Sequence, residues 1–417
     1  MRIISRLLRE SVLIAYSSLV GNKLRSILSL LSITIGIFAI IFVFTLVDSL
    51  EDGVRESVAS LGDDVVFVEK WPWTPENEGE DYPWWKYWQR PQPTMKDLRE
   101  LELRKVNSAA AMCFLSESNR KVTFKSTNLT GVKIQSASAG YPKVKSLNVV
   151  EGRMISDTEF KTGRNTAVLG YEIAQSLFGT SECIGRQVRI SGFKATVVGV
   201  LAKEGSSLIG NSMDEVVIVP VVFARSFSNI DESDSSILVK AKTGVSNDQL
   251  IDELTGTIRA IHRIRPKEDN DFSLNRSSLL NSALDGLFAV INLAGLVIGA
   301  FSIVVGGFSI ANIMFVSVKE RTNLIGIQKS LGAKNYFILL QFLFEAIFLC
   351  IMGGLIGLIL VALISGVVNL VADTSILLSF KNIGIGLGTS IAIGVIAGVV
   401  PAITASRLDP VEAIRSN

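Results

Sequence analysis

Apolar residues fall in two textures along this chain, long uninterrupted runs and short broken ones. Four stretches lack Asp, Glu, Lys, Arg and His altogether: Ser26 to Val47, Gly286 to Val318, Ala346 to Ala372 and Asn382 to Ser406. Each exceeds the roughly 20 residues that a helix needs to span a bilayer. They predict four transmembrane helices, over 26–47, 286–318, 336–372 and 382–406, the third beginning near Tyr336 with Glu345 in its first turns. The second run, at 33 residues, is about 50 Å of helix and is expected to project from the membrane.

The flanks of these runs carry a helical pattern of their own. Ile3, Ile4, Leu7, Leu8, Val12 and Ala15 share one face of residues 1–25, with Arg2, Arg6, Arg9 and Glu10 between them. This predicts an amphipathic helix, lying on the membrane surface or packed on a partner. Val47, Leu50, Val54, Val58 and Leu61 extend the first span into a stalk, and Leu274, Leu280, Leu284 and Leu287 lead into the second. Two stalk helices packed on each other are expected.

Residues 48–285 otherwise read as an α+β domain on that stalk. Strands are predicted at 64–69, 121–124, 186–190, 195–201 and 215–219, and helices at 94–105, 171–178 and 247–261. Two lobes are expected, 62–135 with 221–270, and 136–220. Lys and Arg set the orientation. Arg2, Arg6, Arg9, Lys23 and Arg25 precede the first span, and Lys319, Arg321, Lys329 and Lys334 lie between the second and third. The loop 319–335 and the tail 407–417 therefore read as cytoplasmic, as do both termini, while 373–381 and the large domain read as extracytoplasmic.

Composition removes several functions. Only 19% of residues are charged and mean hydropathy is +0.41, so lipid is part of the solvent. A net charge of +2 argues against nucleic-acid binding. With His262 the single histidine, histidine triads and His-rich metal sites are impossible within one chain. No Gly-Lys dipeptide occurs, so the phosphate loop of an ATPase is missing. The chain is expected to be no enzyme, with no catalytic residue, bound metal or cofactor of its own.

Three further features are open to interpretation. All five tryptophans, Trp71, Trp73, Trp84, Trp85 and Trp88, lie within 18 residues. They form either an exposed surface for cargo, partner or membrane, or the cover of a sheet edge. Cys113 and Cys183 lie in the outer domain, where a disulfide is conceivable. Glycine pairs spaced by four, 295/299, 353/357, 384/388 and 394/398, suit close helix packing.

The loop between the second and third spans reads Val318-Lys-Glu-Arg-Thr-Asn-Leu-Ile-Gly-Ile-Gln-Lys-Ser-Leu-Gly-Ala-Lys334. It predicts a short charged helix ending at Gly332, a shape a cytoplasmic partner can grip. At this point the sequence resembles the MacB-type permeases of the ABC superfamily, with their FtsX-like and lipoprotein-releasing relatives. The matching residues are Glu320-Arg321-Thr322, Ile325-Gly326-Ile327, Leu331-Gly332-Ala333, Gln341-Phe342 and Glu345-Ala346. The tail Arg407-Leu408-Asp409-Pro410-Val411-Glu412-Ala413-Ile414-Arg415, the entry Asn22-Lys23-Leu24-Arg25-Ser26, and Glu151-Gly152-Arg153 in the outer domain are similar too.

The resemblance implies an inner-membrane permease that dimerises with a second copy or a paralogue and sits on a separate ATPase subunit, which holds the ATP and Mg. Glu320, Arg321, Ile325, Gly326, Lys329, Gly332 and Ala333 would form the coupling helix, with Arg407, Asp409, Pro410 and Glu412 in the tail motif. ATP-driven motion would pass through the stalk to the outer domain. The expected cargo is antimicrobial, macrolide-type or otherwise amphipathic, and a periplasmic adaptor and an outer-membrane channel are further expected partners. The other readings are lipoprotein release, FtsX-like control of an outside hydrolase, and a membrane sensor or scaffold without transport. The tryptophan-rich loop is not part of the family pattern.

Overall fold

The structure is a computed structural model that describes residues 23–75, 82–179, 182–205, 212–230, 233–372, 376 and 378–415. The amphipathic pattern of residues 1–22 lies outside them. The chain forms two compact units, Gly53–Gly286 and the combination of the segments before and after it.

In the first unit, the strands are β1 (Val65–Glu69), β2 (Ala109–Phe124), β3 (Thr127–Ala137), β4 (Val149–Gly152), β5 (Thr166–Leu169), β6 (Gln187–Ile190), β7 (Phe193–Leu201), β8 (Val216–Pro220), β9 (Asp234–Ala241) and β10 (Ser273–Arg276). They join in one sheet of order β10-β1-β9-β2-β3-β8-β5-β7-β4, with β6 bridging β2 and β7. The sheet runs across the expected lobe division at 135 and 220 through the parallel pairing of β3 with β8.

Side chains alternate across a strand with period two, and that alternation divides the interior into two cores. Val66, Val68, Phe114, Val217, Val219, Ile237 and Val239 enter one. Their neighbours Val65, Phe67, Cys113, Leu115, Val216, Ile218 and Leu238 enter the other. Strands covered on both faces read as continuous apolar runs rather than alternating ones, as in Val-Val-Ile-Val of β8.

The intervening helices are α2 (Trp84–Trp88), α3 (Met95–Arg104), α4 (Tyr141–Val144), α5 (Asp157–Thr162), α6 (Tyr171–Phe178), α7 (Val221–Ala224) and α8 (Asn247–His262). Leu98 and Leu101 of α3 and Leu250, Leu254 and Ile258 of α8 cover the first core, while Tyr141, Val144 and Phe160 cover the second. Thr94 with Asp97 and Ser156 with Glu159 form capping boxes that start α3 and α5. Each satisfies otherwise orphaned N–H groups.

One open possibility is settled and one expectation corrected here. Cys113 and Cys183 are free and buried, and they belong to different cores on opposite faces of the sheet. No disulfide joins them. Leu274 lies in β10, paired with Val68, rather than on a stalk helix. The helix begins at Ser277, directly after the strand.

The second unit is built from long helices, α1 (Lys23–Ala59) up to Asp52, α9 (Ser277–Glu320) from Leu287, α11 (Asn335–Ala372) and α12 (Phe380–Ser406), with the short α10 (Thr322–Ser330) and α13 (Pro410–Arg415). Among the described residues, four helices are long and apolar enough to cross a membrane. Their core holds Ile33, Ile37, Ile310, Met314, Phe342 and Ile393.

Small residues set the helix spacing. A Cβ on Gly353 would lie 2.6 Å from Ile33 Cγ2 of α1, one on Gly394 2.8 Å from Ile347 Cα of α11, and one on Gly398 2.6 Å from Ala346 Cβ. Gly295 faces Val43, whereas Gly384 and Gly388 face open space. Three of the four glycine pairs thus serve contacts within the chain, as close helix approach requires.

Candidate functional site

The residues singled out in the charged loop and tail converge. Helix α9 ends at Glu320, and Arg321 breaks the helical path before α10 begins. The Arg321 guanidinium donates to Glu345 Oε2 of α11 at 3.4 Å, and Glu345 is buried. That ion pair ties the start of α10 to α11, the structural role its position suggests.

Helix α10 is anchored along one face. Ile325 is buried in the helical core. Gly326 is so close to α13 that a Cβ there would lie 2.9 Å from Ala413 Cβ and 3.1 Å from Ile414 N. Lys329 Nζ donates to the carbonyls of Ser406 and Leu408, at 2.7 Å each. The Ser406 carbonyl ends α12 and that of Leu408 lies just past it, where helical C=O groups lack internal partners and a cation is favoured.

The tail is shaped by its own motif. Asp409 Oδ1 accepts from Val411 N at 2.8 Å, and Pro410 opens α13, a position that asks for no N–H. Ala413 is buried against α10. Arg407 and Glu412 are exposed. After α10, Gly332 adopts φ +98°, a backbone region that favours glycine, and Ala333 N then reaches back to Gln328 O at 3.0 Å.

Several of the residues this assembly exposes are apolar. Leu324, Ile327 and Leu331 of the α10 segment are exposed, Leu331 to 83%, and so are Val411 and Ile414 of α13. The sequence reading stressed charge in this loop, yet Arg321 and Lys329 are turned inward to hold it. Period-3.6 counting along α10 would have separated the anchored Ile325 and Lys329 from the exposed Leu324, Ile327 and Leu331.

The tryptophans divide into two groups. Trp73 packs at 5.0 Å from the Phe67 ring, and its Nε1 donates to Glu69 Oε2 at 2.7 Å. Asn275 Nδ2 donates to the same oxygen at 2.8 Å. Burial, only partly offset by these two bonds, pushes the Glu69 carboxyl up to about 7. By contrast Trp84, Trp85 and Trp88 on α2 are 60%, 59% and 67% exposed. They are held out by buried Tyr87, whose ring stacks under Arg90, which in turn donates to Ser273 Oγ. The covering role thus belongs to Trp73, while Trp84, Trp85 and Trp88 are exposed.

The profile of the MacB-like periplasmic core domain matches residues 26–257, and that of the FtsX-like permease C-terminal domain matches residues 296–410. The chain belongs to the MacB-like family of ABC transporter permeases. The permease is thereby a membrane protein with four apolar helices and an α+β domain of the periplasmic core type.

Similarity to individual proteins runs along nearly the whole chain. It is 29% identical to YknZ of Bacillus subtilis, described as an uncharacterized ABC transporter permease, over 98% of this chain and 99% of that one. It is 26% and 28% identical to the macrolide export ATP-binding/permease proteins MacB of Syntrophobacter fumaroxidans and Bdellovibrio bacteriovorus. Those alignments take in 98% and 96% of this chain but only 64% and 60% of the relatives' length. Among solved structures, the periplasmic region of MacB from Actinobacillus actinomycetemcomitans matches with a TM-score of 0.44 at 14% identity, covering 55% of this chain and 95% of that one.

Proposed function

We propose that the permease is the membrane subunit of a MacB-like ABC complex that moves its extracytoplasmic domain by ATP hydrolysis in a separate ATPase. It carries no catalytic residue itself; ATP and Mg belong to the partner. The complex lies in the bacterial inner membrane, with both termini and α10 on the cytoplasmic side and the sheet domain in the periplasm. Its cargo is amphipathic, of the macrolide type named for its MacB relatives. A second permease copy or paralogue completes the dimer, and a periplasmic adaptor and outer-membrane channel receive the cargo.

One observation carries this reading. Helix α10 is fixed on one side by the Arg321–Glu345 pair, by Gly326 against Ala413 and by Lys329, and presents Leu324, Ile327 and Leu331 on the other. A rigidly mounted helix with an exposed apolar edge is suited to transmit force from a docked partner, since charge-poor, well-packed centres dominate protein interfaces.

The test reconstitutes the permease with its ABC ATPase and measures association and phosphate release. Leu324→Glu combined with Leu331→Glu alters exposed positions that the fold does not use. Association is expected to weaken at least tenfold, with the permease still monodisperse. Unchanged association would place the ATPase elsewhere and overturn the coupling assignment. Phosphate release is further expected to rise with an added macrolide.

A further inference from the structure

The sheet domain contains a cavity of about 570 Å³ beside β1 and β9. Its size lies within the range of small-molecule sites. Phe67, Leu115, Tyr141 and Leu238 supply apolar lining, and the tryptophan-rich segment forms part of the wall through Trp71 and Trp73. Trp71 meets Trp88 edge-on at 6.3 Å. An aromatic surface thus runs from exposed Trp88 to the cavity lining.

The charges in this cavity are unevenly matched. Three carboxylates line it, Glu69, Glu117 and Asp234. Glu117 is answered by Lys133 at 3.1 Å and by the Gln135 amide. Glu69 receives only the neutral donors of Trp73 and Asn275, and Asp234 the amide of Gln92 at 3.4 Å. Among the described residues, no Lys, Arg or His nitrogen is paired with either carboxylate.

The lining lysines pair with neither Glu69 nor Asp234, and Lys145, whose charged form burial disfavours, is drawn to Glu204 and Glu117. Lys70 Nζ lies over the Trp71 and Trp88 rings at 5.6 and 5.7 Å, and Lys145 Nζ approaches Met213 Sδ at 3.6 Å. A carboxylate in desolvated surroundings without a counter-cation is costly. The elevated titration of Glu69, to which Glu117 and Asp234 contribute by repulsion, is the sign of that cost. An incoming ammonium group would relieve it, and adjacent indole faces attract cations as well as apolar groups.

We propose that this cavity binds an amphipathic ammonium compound, its cationic group between Glu69 and Asp234 and its apolar body against Phe67, Trp71, Trp73 and Leu238. The site names the charge class of the amphipathic cargo and to that extent rests on the transport reading. Binding to the permease alone is nevertheless separable from coupling to the ATPase.

The experiment uses the full chain in nanodiscs with three probes that share one apolar cage: 1-adamantylammonium, 1-adamantanol and adamantane-1-carboxylate. Equilibrium dialysis at pH 7.5 measures binding above that of empty discs. Saturable binding is expected for the ammonium probe, at least tenfold weaker for the alcohol and absent for the carboxylate. Glu69→Gln is expected to weaken ammonium binding at least tenfold. Asp234→Asn, at an exposed position that spares the Glu69 hydrogen bonds, is expected to weaken it at least threefold and keeps the test open should the first variant fold poorly. Equal binding of all three probes, no saturable binding, or an unchanged ammonium affinity in Asp234→Asn overturns the proposal. Positive binding with no ATPase response would retain the site and reject the transport reading, whereas the reverse result would reject the site alone.

Discussion

Gly394 and Val217 mark two ways of filling a core. At Gly394 the space a side chain would occupy is taken by the backbone of α11, with Ile347 Cα 2.8 Å from where a Cβ would stand. At Val217 the side chain itself fills the space, fully buried in the same core as Ile134 and Leu169, its partners on the neighbouring strands. In lipid the association of helices gains little from burying apolar surface, so close approach of backbones matters. In water the buried side chain provides the drive. The helical unit is therefore specified by what is missing at its contacts, and the sheet domain by what is present.

The largest effect should come from breaking that rule in the helical unit. Gly394→Val is expected to destabilise it by about 3 kcal/mol, the upper end of overpacking costs. Gly384→Val, the same change facing open space, should stay within about 0.5 kcal/mol. Thermal unfolding of the purified permease in detergent, followed by size-exclusion chromatography, measures both. Similar losses for the two variants would break the comparison.

Next in size is a polar contact in the sheet domain. Arg153 donates to both carboxylate oxygens of buried Glu159, at 2.7 and 2.9 Å. Arg153→Ala is expected to cost about 2 kcal/mol, in the range for hydrogen bonds to charged groups. The Arg153 guanidinium holds the Glu159 carboxyl down at about 2. Its stabilisation is therefore full above the ordinary carboxylate range, near 4.5, and fades as pH falls toward 2. Denaturation curves between pH 2.5 and 5 should show that limb in the parent and a flatter one in the variant.

A smaller effect, with the opposite pH sign, belongs to His262. Its ring joins α8 to two carboxylates, Nε2 to Asp97 at 3.6 Å and Nδ1 to Asp271 at 2.7 Å. The Asp97 contact leads in raising it to about 9. Its contribution is complete below the unfolded value of about 6.5 and is lost as pH rises through 9. Melting of the sheet domain should decline between pH 7 and 9, and His262→Gln should remove that decline. A slope unchanged in the variant would assign it to other groups.

The smallest effect should be on stability when Trp84, Trp85 and Trp88 are replaced together by serine. All three are exposed, so the change should stay within about 0.5 kcal/mol. Deleting the whole segment 71–93 would be a different experiment, because it removes buried Tyr87 and Arg90 and the anchoring Trp73. Chemical denaturation of the triple variant checks the distinction.

The long helices were legible because charge-free length is a one-dimensional property, readable without knowing any partner. So were α6 and the start of α3, where Thr94 announces its capping box. The missed elements are the short helices α2, α4, α5 and α7 and several strands. Residues 109–120 of β2 and the whole of β9 and β3 mix Ser, Lys and Glu with apolar residues; β3 pairs with β2 as a hairpin, but β2 with β9 is a pairing distant in sequence. Leu274 misled because it stands just ahead of the helically spaced Leu280, Leu284 and Leu287, although six residues from Leu280 is not a helical spacing and its pairing belongs to a strand.

At the charged loop, residue identity was readable but not direction. Arg321 and Lys329 stood out by charge, yet both point inward to partners 24 and 77 or more residues away. The exposed Leu324 and Leu331 drew less attention because an exposed leucine is ordinary in isolation. Only the anchoring of the opposite face gives them significance. The cavity likewise depends on Glu69 and Asp234, brought together by the pairing of β1 with β9, which no local pattern announces.

The junction at Ser277 has one further consequence. No loop separates β10 from α9, and Ser277 Oγ reaches both Gly62 O and Asp63 Oδ1 just beyond the end of α1. Two turns on, Arg55 of α1 is paired with Asp285 of α9 at 2.5 Å. The two helices are thus riveted where they meet the sheet, with a hydrogen-bonded edge strand as the washer. Strand and helix share an unbroken backbone at this joint, so a substitution that loosens Ser277 would fray the sheet edge together with the helix ends beside it.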